Sequence, residues 1–164
     1  MIVLNQFPTH VAKTANKHKV NKMFKINNQA IYNGSLNRHQ RAIVMRNMHN
    51  WLLEQFNTLK VAKNSLKSYP VQLVIRIHTV INHGNVSWSV KTGNVNWKYP
   101  SEEYIPGWDE DNLSAIWIKA IKDSLSEYKF WKDDSVHYCI GTDSKVVFVD
   151  NFDNRKIEID FKKM

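Results

Sequence analysis

The residues best suited to chemistry are carboxylates in the C-terminal part of the chain. They form three groups: Asp109-Glu110-Asp111-Asn112, Asp123, and Asp133-Asp134. Two carboxylates about 4 Å apart repel by about 4 kcal/mol at an effective dielectric of about 20, so a proton, a lysine or a divalent cation must accompany such groups. Ligand sets made only of oxygen favour Mg²⁺ or Mn²⁺. A cation held in this way can generate hydroxide and stabilise a leaving oxygen in phosphodiester hydrolysis.

The spacing of these groups fits the start and one face of a helix. In an extended approach to a helix, Asp109 and Asp111 point the same way, and a carboxylate at position 111 is favoured by the helix N-terminus. Lys119 and Asp123 are four residues apart and therefore share a helical face. A lysine there can neutralise negative charge that develops on phosphate. Without a metal, the same aspartates would serve only as caps and turn residues.

Other kinds of chemistry have little support in the sequence. The single cysteine, Cys139, excludes an intramolecular disulfide and a cysteine-based zinc site. The seven histidines are scattered without metal-ligand spacing, and no glycine-rich phosphate loop occurs. The acidic groups lack the glycine and the closing glutamate of a calcium-binding EF-hand loop. A nucleophilic triad around Cys139 is also disfavoured, because this residue lies inside a predicted strand.

Two helices are predicted to position these residues. The first covers residues 36–57, where apolar side chains recur every three or four positions and Ser35 or Asn37 can cap the N-terminus. The second covers residues 111–127, with Asp111 or Asn112 as its cap and an apolar face that includes Trp117.

The strands are predicted around these helices. Residues 1–34 indicate an initial strand followed by a long basic loop, and residues 70–82 are a β-branched strand. The repeated pattern in residues 85–99 predicts a β-hairpin with a glycine-containing turn. Residues 136–140, 145–149 and 156–161 are predicted as a C-terminal meander, with Thr142-Asp143-Ser144 as one of its turns.

This order of elements predicts one α+β domain over residues 1–164, with two main helices packed on a mixed β-sheet. Within it, residues 1–70 form a basic part and residues 100–164 carry the expected metal site. No segment approaches the roughly 20 apolar residues of a membrane span. The polar N-terminus and single cysteine favour a reducing, cytoplasmic location.

The basic charge of the chain is concentrated at one end. The net charge is +8 overall, but residues 1–70 contain 11 basic residues and a single acid, whereas residues 71–164 contain 12 basic residues and 14 acids. Such a field suggests a polyanion partner, with nucleic acid first and an anionic membrane surface second. Solubility alone is the simpler alternative. The candidate phosphate contacts are Lys22, Lys25, Arg38, Arg41 and Arg46.

Residues 109–136 resemble the RusA family of Holliday-junction resolvases. That family has Asp-x-Asp-Asn at a helix start, a lysine, an aspartate four residues after the lysine, and an Asp-Asp pair ten residues further on. The corresponding residues are Asp109-Glu110-Asp111-Asn112, Lys119, Asp123 and Asp133-Asp134. An aromatic run, Phe130-Trp131, precedes the paired aspartates as it does in the family.

The chain departs from the family pattern in two places. The family lysine follows the second aspartate by four residues, where this chain has Ala115. One extra helical turn would make Lys119 the equivalent residue, whereas Lys122 is the competing candidate because it points only about 20° away from Asp111. The basic run that precedes the motif in family members is also missing, and the predicted hairpin of residues 85–99 occupies its place.

The resemblance implies a RusA-like fold, a homodimer and a four-way DNA junction as substrate, in phage or prophage recombination and repair. It implies Mg²⁺, with Mn²⁺ as a possible substitute, bound by Asp109, Asp111 and Asp134. Lys119 would assist at the phosphate, with Asn112, Asp123 and Asp133 as accessory residues. A non-catalytic nucleic-acid-binding protein of the same fold, and a structural domain without a ligand, are the alternatives.

Overall fold

The computed structural model describes residues 1–8, 10–13, 23–26, 31–32, 34, 36–64, 66–79, 97–98, 110–133, 135–149 and 152–164, with the backbone alone at residues 23, 25, 97, 98, 110–112 and 152. Its strands are β1 (Ile2–Asn5), β2 (His10–Ala12), β3 (Met23–Lys25), β4 (Val71–Thr79), β5 (Trp97–Lys98), β6 (Cys139–Phe148) and β7 (Lys156–Lys163). The two long helices are α1 (Arg38–Thr58) and α2 (Glu110–Glu127).

The helix α1 begins at the predicted cap. The Asn37 side chain accepts a hydrogen bond from the Gln40 backbone N–H at 2.9 Å, and the Gln40 side chain accepts one from the Asn37 N–H at 3.2 Å. This reciprocal capping box satisfies two backbone donors that a helix start otherwise leaves unpaired. The buried side chains Met48, Trp51 and Phe56 form the core-facing stripe that the spacing predicted.

The helix α2 packs against α1 through its apolar face. Trp117 is fully buried and meets Trp51 edge to face, with ring centroids 5.8 Å apart, and it meets Phe7 in the same way at 5.7 Å. Such aromatic pairs add to the stabilisation from apolar burial. The predicted helix over residues 111–127 is confirmed with one additional residue at its start.

The mixed four-stranded sheet has the order β1-β7-β4-β6; its strand β6 contacts α2, and the buried side chains of β4 and β7 share one core with those of both helices. The strands β4 and β6 are parallel, and the other neighbours are antiparallel. Along β4, Leu73, Ile75 and Ile77 are buried, whereas Arg76 and His78 point to the opposite face. This alternation is typical of a sheet with one covered face and one solvated face. The prediction of an α+β fold with a mixed sheet and two helices is confirmed.

The predicted C-terminal meander is wrong in its first two strands and in its pairing, whereas its third strand, residues 156–161, lies within β7. Residues 139–148 form one strand, and its parallel pairing with β4 requires α2 to serve as the crossover between the two strands. The expected turn at Thr142-Asp143-Ser144 lies inside that strand. The Asp143 carboxylate binds the Arg76 guanidinium at 2.9 Å across the strand pair, which offsets the low strand preference of aspartate.

Two short strands lie within the predicted N-terminal loop. Short strands β3, β2 and β5 form a second sheet in that order, with both pairings antiparallel. Most of the predicted hairpin at residues 85–99 lies outside the described residues, but residues 97–98 belong to this sheet as β5. None of the helices in the described part of the chain is long and apolar enough to cross a membrane.

Candidate functional site

The helix α2 carries the predicted acidic motif. Because it begins at Glu110, Asp111 and Asn112 lie inside its first turn, so the prediction that one of them is the N-cap is wrong. Asp109 and Asp134 lie outside the described residues, as do the side chains of Asp111 and Asn112. Their assignment as metal ligands or accessory groups stays a prediction.

Two turns along α2, Lys119 and Asp123 form an ion pair on the surface. The Lys119 Nζ lies 3.4 Å from the Asp123 Oδ2, and the lysine side chain is 55% exposed. The pair confirms that these residues share a helical face. The ammonium group remains in water. Asp123 therefore orients it and leaves it accessible to a phosphate group. Lys122 is half-buried and makes no ion pair with other described residues.

His49 of α1 meets the same carboxylate from the other helix. Its Nε2 lies 3.8 Å from the Asp123 Oδ2, and this buried nitrogen makes no hydrogen bond to any described residue. Burial lowers the pKa of His49, and the positive charge of Arg46 lowers it further. The imidazole is therefore neutral at pH 7 and contacts Asp123 as a dipole. His49 is not predictable from the sequence, because no local pattern shows that α1 and α2 dock along this face.

A second ion pair links the same two helices. The Arg46 guanidinium donates two hydrogen bonds to the Glu127 carboxylate, at 2.6 Å and 3.1 Å. The hydrogen bonds from Arg46 lower the pKa of Glu127. Such bidentate pairs fix geometry as well as charge. The cluster formed by Arg46, His49, Lys119, Asp123 and Glu127 is called the interhelix charge cluster below.

The candidate DNA-binding residues fall into different environments. Arg38 is exposed in the first turn of α1, whereas Arg41 is half-buried and donates a hydrogen bond to the Leu36 carbonyl at 3.4 Å. Arg46 is exposed but paired with Glu127. Lys22 and the side chain of Lys25 lie outside the described residues. Among the three arginines, Arg38 is thus the one best placed to meet a phosphate.

Asp133 is held in a turn between α2 and β6. Its Oδ1 accepts a hydrogen bond from the Ser135 backbone N–H at 2.8 Å, and hydrogen bonding from Ser135 lowers the pKa of Asp133. The aromatic residues just before it are anchored. The Trp131 Nε1 donates to the Ser126 Oγ at 2.9 Å, and the Phe130 ring stacks on Phe161 with centroids 4.6 Å apart.

The two acidic ends of the motif lie at opposite ends of α2. At a rise of about 1.5 Å per residue, about 24 Å of helix separate Asp111 from Glu127, and Asp133 follows beyond that end. The turn that holds Asp133 leads into β6 beside the start of β4, where the Val71 N–H donates to the Tyr138 carbonyl at 2.9 Å. One Mg²⁺ ion binds its ligands at about 2.1 Å, so Asp111 and Asp133 of the same chain do not share a cation.

No three His, Cys, Asp or Glu side chains converge as a metal site within the described ranges. No protein-family model, curated protein or solved structure matches the chain. The resemblance to the RusA family therefore depends on the spacing of Asp109, Asp111, Lys119, Asp123 and Asp133-Asp134, and the structure itself establishes only the α+β architecture around them.

Proposed function

We propose that this chain is a Mg²⁺-dependent endonuclease that resolves four-way DNA junctions by paired nicks. The observation that carries the proposal is the arrangement of the motif on α2. Asp111 lies in the first helical turn, Lys119 and Asp123 pair on the surface two turns later, and the anchored Phe130-Trp131 run leads directly to Asp133. Carboxylates that can hold a divalent cation and a lysine that can reach the phosphate are groups that metal-assisted phosphodiester cleavage uses.

Each residue of the motif has a proposed role. Asp109 and Asp111 would hold Mg²⁺ together with Asp134 of the second chain of the homodimer, because Asp111 and Asp133 of one chain do not share a cation; the ion would supply a nucleophilic hydroxide and neutralise the leaving oxygen. Their oxygen-only chemistry suits Mg²⁺ or Mn²⁺. Lys119 neutralises charge on the phosphate in the transition state, and Asp123 holds the lysine ammonium at 3.4 Å. Asp133 supports the site through the turn that it caps.

The rest of the chain would bind the junction. The excess of ten positive charges in residues 1–70 attracts phosphates, and the exposed Arg38 is the first candidate contact. A homodimer with two sites fits a two-fold junction substrate. The reducing cytoplasm agrees with the single buried cysteine, Cys139, and the resemblance to the RusA family implies a phage-encoded protein.

A non-catalytic junction-binding protein is the second candidate. The distance along α2 between Asp111 and Asp133 favours it, because the acids of one chain do not gather around one cation. Both candidates predict binding to four-way junctions that weakens as salt rises. Only the endonuclease predicts cleavage and a requirement for Asp111 and Asp134.

The deciding experiment incubates the purified protein with a labelled four-way junction and a matched linear duplex, in Mg²⁺ and in EDTA. We expect paired nicks in the junction alone, and only with Mg²⁺. Asp111→Asn and Asp134→Asn should bind the junction without cutting it, whereas Asp160→Asn on the exposed face of β7 should behave as wild type. Tight binding without cleavage in Mg²⁺ or Mn²⁺ would support the non-catalytic candidate instead.

A further inference from the structure

The strand β6 forms an open edge of the four-stranded sheet. In the order β1-β7-β4-β6 it pairs with β4 on one side, and no described strand pairs with its other side. At ten residues it is the longest described strand, and it contains no proline. An edge of this length is a ready template for pairing with another strand.

The direction of the backbone groups along this edge follows from the β4 pairing. The Val149 N–H donates to the Thr79 carbonyl at 2.9 Å, so the backbone groups of residue 149 are directed towards β4. In a parallel strand, alternate residues direct both backbone groups to the same neighbour. Residues 143, 145 and 147 therefore bond to β4, whereas residues 142, 144, 146 and 148 present their N–H and C=O groups at the open edge.

Charge favours the Ser144-centred register over its two nearest neighbours if two copies of β6 pair antiparallel. Two residues can face each other across such a pair only if both direct their backbone groups to the open edge or both direct them to β4. With Ser144 facing the partner's Ser144, Asp143 lies opposite the partner's Lys145, and the reverse pair completes the symmetry. If the register shifts by two residues in one direction, Asp143 faces the partner's Asp143. If it shifts by two residues in the other direction, Lys145 faces the partner's Lys145. Like charges directly opposite each other are destabilising.

Apolar groups at the ends of β6 fit the same register. The Phe148 side chain is 63% exposed and the Ile140 side chain is 43% exposed, although both are large and hydrophobic. In the Ser144-centred pairing, Thr142 faces the partner's Val146, so Phe148 of one chain lies just past the partner's Thr142, towards the partner's Ile140. Gly141, at a φ of 71°, lies where the pairing of β6 with β4 is irregular. That irregularity limits the regular pairing to the segment that follows it.

We propose that β6 is the dimer interface of this protein. It pairs antiparallel with β6 of a second copy about a two-fold axis at Ser144, and the two four-stranded sheets become one continuous sheet. The same surface serves both copies, as a two-fold interface requires. This interface is independent of the metal chemistry proposed above, because none of its residues belongs to the acidic motif.

Disulfide trapping tests the register. In a Cys139→Ala background, Ser144→Cys places two thiols on directly opposed residues whose Cα atoms lie about 5.5 Å apart, within disulfide range. Thr142→Cys is the matched control, because its two copies are four strand positions out of register, about 13 Å apart. Under mild oxidation without DNA or metal, we expect covalent dimers of the Ser144→Cys variant and monomers of the Thr142→Cys variant.

Charge exchange tests the pairing without new thiols. Lys145→Glu should raise the dimer dissociation constant at least tenfold in sedimentation equilibrium, because the new carboxylate faces the partner's Asp143. Lys132→Glu, an exposed lysine outside β6, should leave the constant unchanged. Mixing Lys145→Glu with Asp143→Lys should restore a dimer, since each chain then opposes only charges of the other sign.

Two results would overturn the interface. One is a wild-type protein that stays monomeric up to millimolar concentration, as it would if another segment of the chain covered β6. The other is a wild-type dimer that survives Lys145→Glu while Ser144→Cys fails to cross-link. A circular-dichroism spectrum of each variant shows that it is folded. Because none of these measurements uses DNA cleavage, they separate failure of the interface from failure of the proposed endonuclease.

Discussion

Lys119 is the residue at which the proposed chemistry can be tested most directly, because its side chain is exposed and held by Asp123. If it stabilises the transition state, Lys119→Ala should reduce junction cleavage by about 10²–10³-fold, measured under single-turnover conditions. Junction affinity should change little. Lys122→Ala is the matched control, and a loss confined to that variant would transfer the role to Lys122.

The buried imidazole of His49 predicts how stability depends on pH. Burial and Arg46 lower its pKa below the unfolded value of 6.5. A histidine with a lowered pKa stabilises the fold fully above the unfolded pKa, and this contribution is lost as the pH falls below 6.5 towards the folded value. His49→Gln should therefore flatten the fall in unfolding free energy between about pH 7.5 and about pH 5.

The control for that measurement is His39→Gln, which alters an exposed histidine on the same helix. Urea titrations at each pH should show the wild-type slope for the control. An unchanged slope in His49→Gln would mean that Asp123 and Glu127, which raise the pKa of His49, balance the effect of burial in the folded protein.

At the level of elements, the capping box makes α1 sensitive to one side chain. Asn37→Ala removes the oxygen that accepts the Gln40 N–H, and we expect a loss of about 1 kcal/mol of unfolding free energy. Asn50→Ala, on the exposed middle of the same helix, should be neutral or slightly stabilising because alanine has the higher helix propensity. Chemical denaturation of both variants measures the contrast, and equal losses would contradict the cap.

The arginines of α1 should separate DNA binding from helix packing. Arg38→Ala should weaken binding to any DNA sequence and reduce the salt slope of the affinity by about one. Arg46→Ala should cost up to about 1 kcal/mol of stability, since its pair with Glu127 is exposed. Its effect on the salt slope should be smaller. Binding titrations over a range of salt decide this, and a larger slope change in Arg46→Ala would mean that DNA displaces Glu127.

The elements also show where sequence reasoning reaches its limit. The helix α1 is predictable from its spacing and from Asn37, because both signals are local. The strand β6 is not, because Thr142, Asp143 and Ser144 favour turns by themselves. Their extended backbone depends on pairing with β4 and on the Arg76 guanidinium, which lies far away along the chain.

At the scale of the whole molecule, the two proposals together suggest a shared site. On α2, Trp117 contacts Phe7, and Phe7 lies against Arg155. Arg155 directly precedes Lys156, which is the β7 residue that pairs with His78 near the end of β4. The start of α2 is therefore at the Thr79 end of β4. Antiparallel pairing of β6 brings the partner's Asp133 towards this same end. The partner's Asp133 would then lie near Asp111, whereas the Asp133 of the same chain is separated from Asp111 by the length of α2.

Complementation tests this arrangement, which depends on both the endonuclease and the β6 interface. Asp111→Asn and Asp134→Asn should each be inactive. Mixed dimers of the two contain one intact site if the acids come from different chains, so they should nick one strand of the junction. Sites formed within single chains would leave the mixture inactive. Mixing either variant with Asp160→Asn controls for subunit exchange.

The sequence by itself determined the two helices, the strand of residues 71–79, the α+β class and the shared helical face of Lys119 and Asp123, because each depends on periodicity or on neighbouring residues. Only the tertiary structure decided the parallel pairing of β6 and the interhelix charge cluster. Both depend on the burial of side chains that lie far apart in the sequence, which no local pattern reveals. It brings His49 beside Asp123 and keeps Asp133 at the opposite end of α2 from Asp111.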